Sequence, residues 1–353
     1  MLYIVIAILM FGVLIAIHEF GHFATAKALG VRVNEFAIGM GPKILSKQGA
    51  ETLYSWRLFP IGGYCAMEGE DEDTEDPRSF QKAKGWKKLL ILVAGSATNF
   101  LAGLLIFLVL FSQTASFVTP TIGGFLPGFT GGGEEGIMVG DTITRVDGHK
   151  ILLFSDLNLF LSRADDTLDL ELERDGRKIV LKDYEMPAQE YTQPDGTVQL
   201  KRGIVPARQD ATVLDRLKLS WYNTLDTVRM VWIGLSDLVT GAVGLRDMSG
   251  VIGIVDMIGQ VGEQSANTGV AVWNIFSFIA FIAVNLAVMN LLPIPALDGG
   301  RIFFLAVNGL FTLFTRKKLD PKYENYVNGA GFIALLALMA IVAVSDVLKL
   351  VGV

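Results

Sequence analysis

The chain has 353 residues, of which 51% are hydrophobic and only 19% are charged, and its formal net charge is −6. This apolar share exceeds that of ordinary soluble proteins and indicates a membrane protein. The negative charge and the lack of a long basic run exclude nucleic acid as a partner. Cys65 is the only cysteine, so an intrachain disulfide is excluded and a metal would have to be bound through His, Asp or Glu.

Apolar stretches predict membrane-spanning helices. In chain order they cover residues 2–26, 89–111, 270–292 and 330–344. A removed signal peptide is the alternative for the first stretch. However, no basic residue precedes it and no clear small-residue cleavage site follows it, so we expect it to be retained as a helix.

The distribution of Lys and Arg predicts the orientation of these spans. Residues 27–88 contain ten Lys and Arg residues and the predicted loop 301–322 contains five, which favours the cytoplasmic side for both segments. With four spans, both termini then lie outside. The region between the second and third spans is expected to be extracytoplasmic.

The first span contains the sequence His18-Glu19-Phe20-Gly21-His22 near its end. Residues four apart lie one helical turn above each other, so both imidazoles can point at one metal ion, with Glu19 beside them. Ionisable groups within a span are costly and need partners. The alternative is a pair of histidines that only form hydrogen bonds with neighbouring helices.

The region from about 116 to 208 has the composition of a soluble β-rich domain, with strands predicted at 168–172 and 179–181. Residues 136–148 followed by a helical stretch at 155–163 resemble a PDZ domain, a module that binds peptides at a sheet edge. An ordinary β-rich domain without a ligand is the alternative. The third histidine, His149, belongs to this region and is expected to be a solvated loop residue.

Residues 214–239 show apolar residues at helical spacing with charged residues on the other faces, which predicts an amphipathic helix. It could lie on the outer membrane surface or pack on the β-rich domain, and the sequence does not separate these possibilities.

The third span is followed by the segment 290–300, Asn-Leu-Leu-Pro-Ile-Pro-Ala-Leu-Asp-Gly-Gly, which cannot continue as a regular helix. Irregular backbone at membrane depth is tolerated where it is buried in protein or lines a wet cavity. Two histidines need a further protein ligand to form a catalytic zinc site, and Asp298 is the acidic residue placed to supply it. A simple turn at a helix end is the alternative for Asp298.

The motifs at 18–22 and 290–300 together resemble the site-2 protease family of intramembrane zinc metalloproteases. The similarity is to the bacterial regulator-of-sigma-factor protease type, with four core spans and one inserted PDZ domain. It extends over nearly the whole chain. Further similar segments are residues 39–41 and 59–64, like the family's membrane-reentrant β-region, residues 95–99, like its GxxxN element, and residues 249–254, like a short motif before the third span.

This resemblance implies a fold class, membrane α-helical, with four transmembrane helices, a membrane-associated β-region and an inserted extracytoplasmic PDZ-like β-rich domain. The expected organisation is residues 1–113 with the first two transmembrane helices, 114–210 as the PDZ-like domain, 211–268 as an amphipathic helical connector, and 269–353 with the last two transmembrane helices.

The resemblance also implies a site. Zn²⁺ would be held by His18, His22 and Asp298, with Glu19 acting as the base and then as the acid. Ferrous iron also suits two imidazoles and one carboxylate, and the resemblance favours zinc. The expected substrate-binding residues are Asn99, Asn290, Pro293, Gly62, Gly63 and Tyr64.

The substrate is expected to bind as an extended strand, because a helical substrate must unwind before water can attack its carbonyl. Residues 51–67 have apolar side chains at nearly alternating positions and could form the edge strand that holds it. A peripheral cytoplasmic hairpin is the alternative. The acidic stretch 68–76 is expected to be a solvated loop.

The implied location is the cell (inner or plasma) membrane, with the active site near the cytoplasmic side. The implied partners are the lipid bilayer and single-span membrane proteins such as anti-sigma factors or remnant signal peptides. Two other functions are open from the residues alone. One is a membrane metal transporter, since His and Asp in broken helices also mark ion pathways. The other is a catalytically silent PDZ adaptor.

Overall fold

A computed structural model describes residues 2–70, 74–192, 198–244, 250–263, 265, 267–317 and 321–351. The chain forms two compact units. The first combines Met1–Phe107 with Thr227–Val353, and the second is Leu108–Asp226.

Over the described residues, four helices are long and apolar enough to cross a membrane. These are Ile8–Ala28, Gly85–Ser112, Thr268–Asn290 and Tyr326–Lys349. They lie within α1 (Leu2–Ala28), α2 (Gly85–Ser112), α6 (Thr268–Asn290) and α8 (Pro321–Val351), and they overlap the four predicted stretches. The amphipathic segment forms α4 (Val213–Thr240).

Two further helices were not predicted from the sequence. They are α5 (Val251–Glu263) and α7 (Asp298–Thr315). The prediction of a loop over 301–322 was therefore wrong for most of its length. The basic residues are not spread along this segment: after Arg301 the chain is uncharged until Arg316, whose left-handed conformation (φ +56°) ends the helix.

The short helix α5 has 13 residues, too few to cross a bilayer. Its apolar side packs against α1 and α6, where Ile258 shares a buried cluster with Leu14 and Ile275. Its N-terminal N–H groups, from Gly250 and Gly253, each donate to Oδ2 of Asp346 in α8 over 2.9 Å. The sequence motif assigned to this place begins at Ser249, which lies outside the described residues.

Asp346 is a carboxylate in an apolar span, and its side chain is only 1% exposed. Helix ends leave N–H groups without partners, and a bilayer offers no water to satisfy them. An unsatisfied buried donor costs about 1–3 kcal/mol, so Oδ2 of Asp346 stabilises the start of α5 by accepting from both N–H groups. Its other oxygen, Oδ1, lies 3.9 Å from Nζ of Lys349. Gly250 allows the approach, because a Cβ there would lie 2.9 Å from Oδ2.

The two long strands β1 (Val33–Gln48) and β2 (Leu53–Met67) bend so that each contributes two segments to the sheet. Glu35 pairs with both Leu53 and Ala66, and Ala37 pairs with both Ser55 and Tyr64. The register therefore gives four strand segments. Their order across the sheet is 43–48, 53–57, 33–38 and 63–67. Among the described residues, 43–48 and 63–67 are the edges of this sheet.

The second unit is built on an antiparallel sheet with the strand order β10-β3-β4-β6-β7. The strand β5 pairs with β4, and β8 pairs with β9 as a separate hairpin. The helix α3 (Phe154–Arg163) includes the predicted helical stretch. The strands are β3 (Ser116–Phe125), β4 (Thr142–Val146), β5 (His149–Lys150), β6 (Thr167–Arg174), β7 (Arg177–Glu185), β8 (Gln189–Thr192), β9 (Val198–Lys201) and β10 (Ile204–Asp210).

The strands predicted at 168–172 and 179–181 lie within β6 and β7. The buried side chains of β4, α3 and β6 form the interior, with Ile143, Leu157 and Leu170 at most 1% exposed. The unit is longer than the expected domain 114–210, because it includes the end of α2 and the first half of α4. Its identity as a PDZ-like domain stays a prediction.

Candidate metal centre

His18, His22 and Asp298 converge in the first unit. The two histidines lie one turn apart on α1, and Asp298 is the first residue of α7. Nε2 of His18 and Nε2 of His22 are 3.1 Å apart, and they lie 3.1 and 3.2 Å from Oδ2 of Asp298. The donor atoms of a tetrahedral zinc site, at about 2.0 Å from the metal, are about 3.3 Å apart. The triangle therefore has the size of one face of such a site.

The hydrogen bonding of these groups also favours a cation. Nδ1 of His22 lies 2.8 Å from the carbonyl oxygen of Ile91, so Nδ1 carries the proton and Nε2 presents a lone pair. Oδ2 of Asp298 is buried and has no hydrogen-bond partner among the described residues. A proton on Nε2 of His18 would form only one hydrogen bond within this group of three atoms. A divalent cation would bind all three atoms, so these residues fit Zn²⁺.

Glu19 lies beside the triangle on the side of the sheet edge. A Cβ placed on Gly63 would be 3.5 Å from Cγ of Glu19 and 3.7 Å from Ile15, so these two side chains of α1 lie next to Gly63 at the start of edge segment 63–67. An acid–base group is thus adjacent both to the three donor atoms and to a free strand edge. This arrangement has the groups that metal-assisted hydrolysis of an extended peptide requires.

Glycines allow α1 and α2 to come together at this place. A Cβ on Gly95 would be closer than 3.0 Å to the rings of both His18 and His22, and one on Gly21 would overlap the Ala94 carbonyl. The sequence identified Gly95 only as the start of the GxxxN element. The sequence did not predict that Gly95 leaves space for the two imidazoles or that the Ile91 carbonyl bonds His22. Neither a missing side chain nor a backbone carbonyl produces a pattern in a single sequence.

Replacing Gly95 with Ala is expected to weaken zinc binding, because the added methyl group must displace one or both imidazoles. A displacement of the supporting groups of a metal ligand typically costs about 10- to 100-fold in affinity. The measurement is zinc affinity by competition with a chelator. Gly85→Ala is the control on α2, because a Cβ at Gly85 would meet no described atom within 4 Å. Equal zinc affinity in Gly95→Ala and wild type would contradict the expectation.

The irregular segment between α6 and α7 places Asp298. Ala296 has a φ of +71°, a left-handed conformation that is strained for a residue with a Cβ. Gly299 and Gly300 let the first turn of α7 pack under the segment, since a Cβ on either would overlap the carbonyls of residues 291–294. As predicted, the helix is interrupted after Asn290.

The predicted substrate-binding residues on the helices differ in environment. Asn290 ends α6 with Nδ2 at 3.5 Å from both ring nitrogens of His18, and equal distances mean that the amide lies against the ring rather than on one lone pair. Asn99 is 1% exposed, and its Oδ1 has no partner among the described residues. Pro293 is exposed in the turn after α6. His149 is in the second unit, where its ring stacks on Phe160 at 4.4 Å.

The predicted residues of the β-region lie around the last turn of the sheet. Gly62 has a φ of +94°, which favours glycine. The hydroxyl of Tyr64 accepts a hydrogen bond from Arg57, whose guanidinium also bonds Glu35 over 2.8 Å. Burial raises the pKa of Glu35, but hydrogen bonds from Ser55 and Arg57 outweigh it and lower that pKa to about 2. The Tyr64 side chain is thus engaged, and Tyr64 pairs with Ala37 on one side, so the outer side of this edge segment is the part open to a partner strand among the described residues.

Known proteins resemble the chain over almost its full length. The model of peptidase family M50, the site-2 protease family, matches residues 6–338. A protein of Clostridium acetobutylicum assigned as a zinc metalloprotease is 37% identical over 349 residues, 98% of this chain and 97% of that protein. A protein of Clostridium perfringens with the same assignment is 36% identical over 98% of this chain and 99% of its own length.

The regulator of sigma-W protease RasP of Bacillus subtilis is 26% identical over 426 aligned positions, covering 97% of each chain. With four helices among the described residues that are long and apolar enough to cross a membrane, the chain is a multi-pass membrane protein that acts on membrane-embedded substrates. Zinc is its metal and peptide hydrolysis its reaction. The chain belongs to peptidase family M50, the site-2 protease family of zinc metalloendopeptidases.

Proposed function

We propose that this chain cleaves transmembrane segments of single-span proteins, with His18, His22 and Asp298 as the zinc ligands and Glu19 as the general base. One observation carries the proposal: three donor atoms lie 3.1–3.2 Å apart within an apolar helix bundle, with Glu19 beside them. Ionisable side chains within a span are costly and need a partner, and a bound metal ion would be that partner for the three donor atoms.

The residues divide the chemistry between them. Zinc, when bound, supplies the Lewis acidity that activates water. Glu19 takes the proton of the attacking water and delivers it to the amide nitrogen that leaves. His22 is held in orientation by its hydrogen bond to Ile91, and Gly95 keeps α2 clear of both imidazoles.

The substrate would bind as an additional strand along segment 63–67. Along an antiparallel edge, alternate residues point their N–H and C=O groups outward, and these can pair with an unwound substrate. Gly63 starts this edge beside Glu19, which would bring the scissile peptide bond to the base. Gly62 provides the turn into the segment, and Tyr64 contributes backbone rather than side chain.

Asn99, Asn290 and Pro293 would complete the substrate site. Asn99 is buried and its Oδ1 has no partner among the described residues, so Oδ1 is suited to accept a hydrogen bond from a substrate N–H group. A developing oxyanion would instead be stabilised by Nδ2, the donor of the same amide. Asn290 would contact the substrate from its place against the His18 ring. The exposed Pro293 would line the path by which the substrate enters the site.

The substrates would be anti-sigma factors or remnant signal peptides in regulated intramembrane proteolysis, since RasP carries the name of a sigma-factor regulator. The basic residues of segment 27–88 and those that follow α7, at positions 316–322, favour an active site near the cytoplasmic face of the cell membrane. The second unit, as an extracytoplasmic PDZ-like domain, would then filter substrates before they enter.

Metal removal tests the proposal. Purified full-length protein in detergent is expected to cut a single-span model substrate within its span, to stop after chelation and to recover with added zinc. Mass spectrometry of the products locates the cut. Cleavage that persists without zinc would contradict the proposal. Absence of cleavage together with zinc uptake into liposomes would favour the transporter, and peptide capture without cleavage would favour the silent adaptor.

A further inference from the structure

An ion pair joins the first turn of α7 to the end of the β1–β2 sheet. Nη1 of Arg301 donates to Oε1 of Glu70, and the two side chains are 30% and 16% exposed. Glu70 follows β2 in the turn after Met67, and Arg301 lies three residues after Asp298. The pair therefore connects two segments that are 231 residues apart in the sequence.

Asp298 is the first residue of α7, so its position follows that of the first turn. The later turns present apolar side chains outward. Leu310, Leu313 and Phe314 are 59%, 74% and 81% exposed and would face lipid. Residues three apart on a helix lie on neighbouring positions of one side, so a force on Arg301 acts directly on the turn that carries Asp298.

The other end of the pair is itself fixed. Oε2 of Glu70 accepts a hydrogen bond from the backbone N–H of Met67 over 3.3 Å, which orients the carboxylate towards Arg301. Ile302, next to Arg301, packs against the buried cluster that contains Met67 and Ala26. The sheet end, the end of α1 and the start of α7 thus meet at one place.

We propose that Glu70 and Arg301 form a positioning pair, which holds the first turn of α7 so that Oδ2 of Asp298 stays in reach of both imidazoles. This inference rests on the proposed zinc-ligand role of Asp298. The two residues act through Asp298 and are not among the three residues that offer donor atoms. An ordinary, partly exposed ion pair contributes little to stability. Because the charge of Glu70 also acts on Glu19, the variants of Arg301, which leave that carboxylate in place, separate the positioning role from a direct effect of charge.

The experiment measures the zinc dissociation constant of the full-length protein in detergent by competition with a chromophoric chelator. Arg301→Gln and Glu70→Gln are each expected to weaken zinc binding about 10-fold, as loss of a group supporting a metal ligand does. The double variant should lose less affinity than the sum of the two single losses, because both single variants disrupt the same ion pair. Exchange of the charges, with Glu70→Arg and Arg301→Glu together, should restore part of the affinity.

Three further variants make the outcome unambiguous. Arg301→Lys keeps the positive charge and should keep most of the zinc affinity. Unchanged thermal unfolding temperatures of the variants would exclude misfolding as the cause of any loss of affinity. Arg78→Gln removes another arginine ion pair, with Glu51, and should bind zinc like wild type. Wild-type zinc affinity in both Arg301→Gln and Glu70→Gln, while Asp298→Asn loses zinc, would overturn this inference and leave the proposed function standing. Retention of zinc in Asp298→Asn would overturn both.

Discussion

Replacing Glu19 with Gln is expected to abolish cleavage while zinc stays bound. Gln has the size of Glu but cannot take a proton from water, and general acid–base catalysis contributes about 10²- to 10⁴-fold to rates. A loss in that range in kcat is therefore expected. The readouts are single-turnover cleavage of a single-span substrate and zinc content of the purified protein.

Glu68→Gln is the matched control for this variant. Glu68 is a carboxylate of the same unit that bonds Asn34 and Thr74, and its replacement should leave cleavage unchanged. A Glu19→Gln protein that cuts at the wild-type rate would contradict the role of base. Loss of zinc together with loss of activity in Glu19→Gln would show instead that Glu19 acts on the metal site.

Asp298→Asn is expected to remove zinc as well as activity. The amide is neutral and a weak ligand, so the site keeps two imidazoles and loses its anionic donor. The effect should exceed the range of about 10- to 100-fold that is typical of supporting groups. Zinc affinity by chelator competition and cleavage at saturating zinc are the two measurements.

Asp256→Asn makes the same change in α5, where the carboxylate bonds Gln260 over 2.6 Å, and should bind zinc like wild type. Unchanged zinc affinity in Asp298→Asn would contradict the ligand role. The two variants have different signatures: Glu19→Gln should keep the metal and lose the reaction, whereas Asp298→Asn should lose both.

The sequence predicted the features that depend on local composition. The apolar stretches and the interruption after Asn290 follow from hydropathy and from proline chemistry. His18 and His22 follow from helical periodicity, because two residues on one helix have a fixed relation. Asp298 is 276 positions beyond His22, and its selection as the third ligand depended on the absence of another suitable group.

The features that the sequence did not predict depend on contacts between distant segments. Segment 33–38 of β1 pairs with both 53–57 and 63–67. This arrangement results from bends at glycines, and the direction of such bends cannot be predicted from a sequence pattern. The helix α7 was predicted as a loop because its flanking charges were counted without the apolar run between them. The ion pair of Glu70 with Arg301 is equally invisible in a single sequence.

The hydrogen bonds between Asp346 and the start of α5 set a condition on biogenesis. The acceptor is 96 and 93 residues beyond the two donors, so during synthesis α5 emerges well before the carboxylate that satisfies its N-terminus. Until α8 has inserted, that helix end must remain near water or another acceptor. The docking of α5 on α1, the helix that carries His18 and His22, is therefore completed late. In a nascent chain that lacks its last span, α5 would not yet be packed stably against this metal-binding helix.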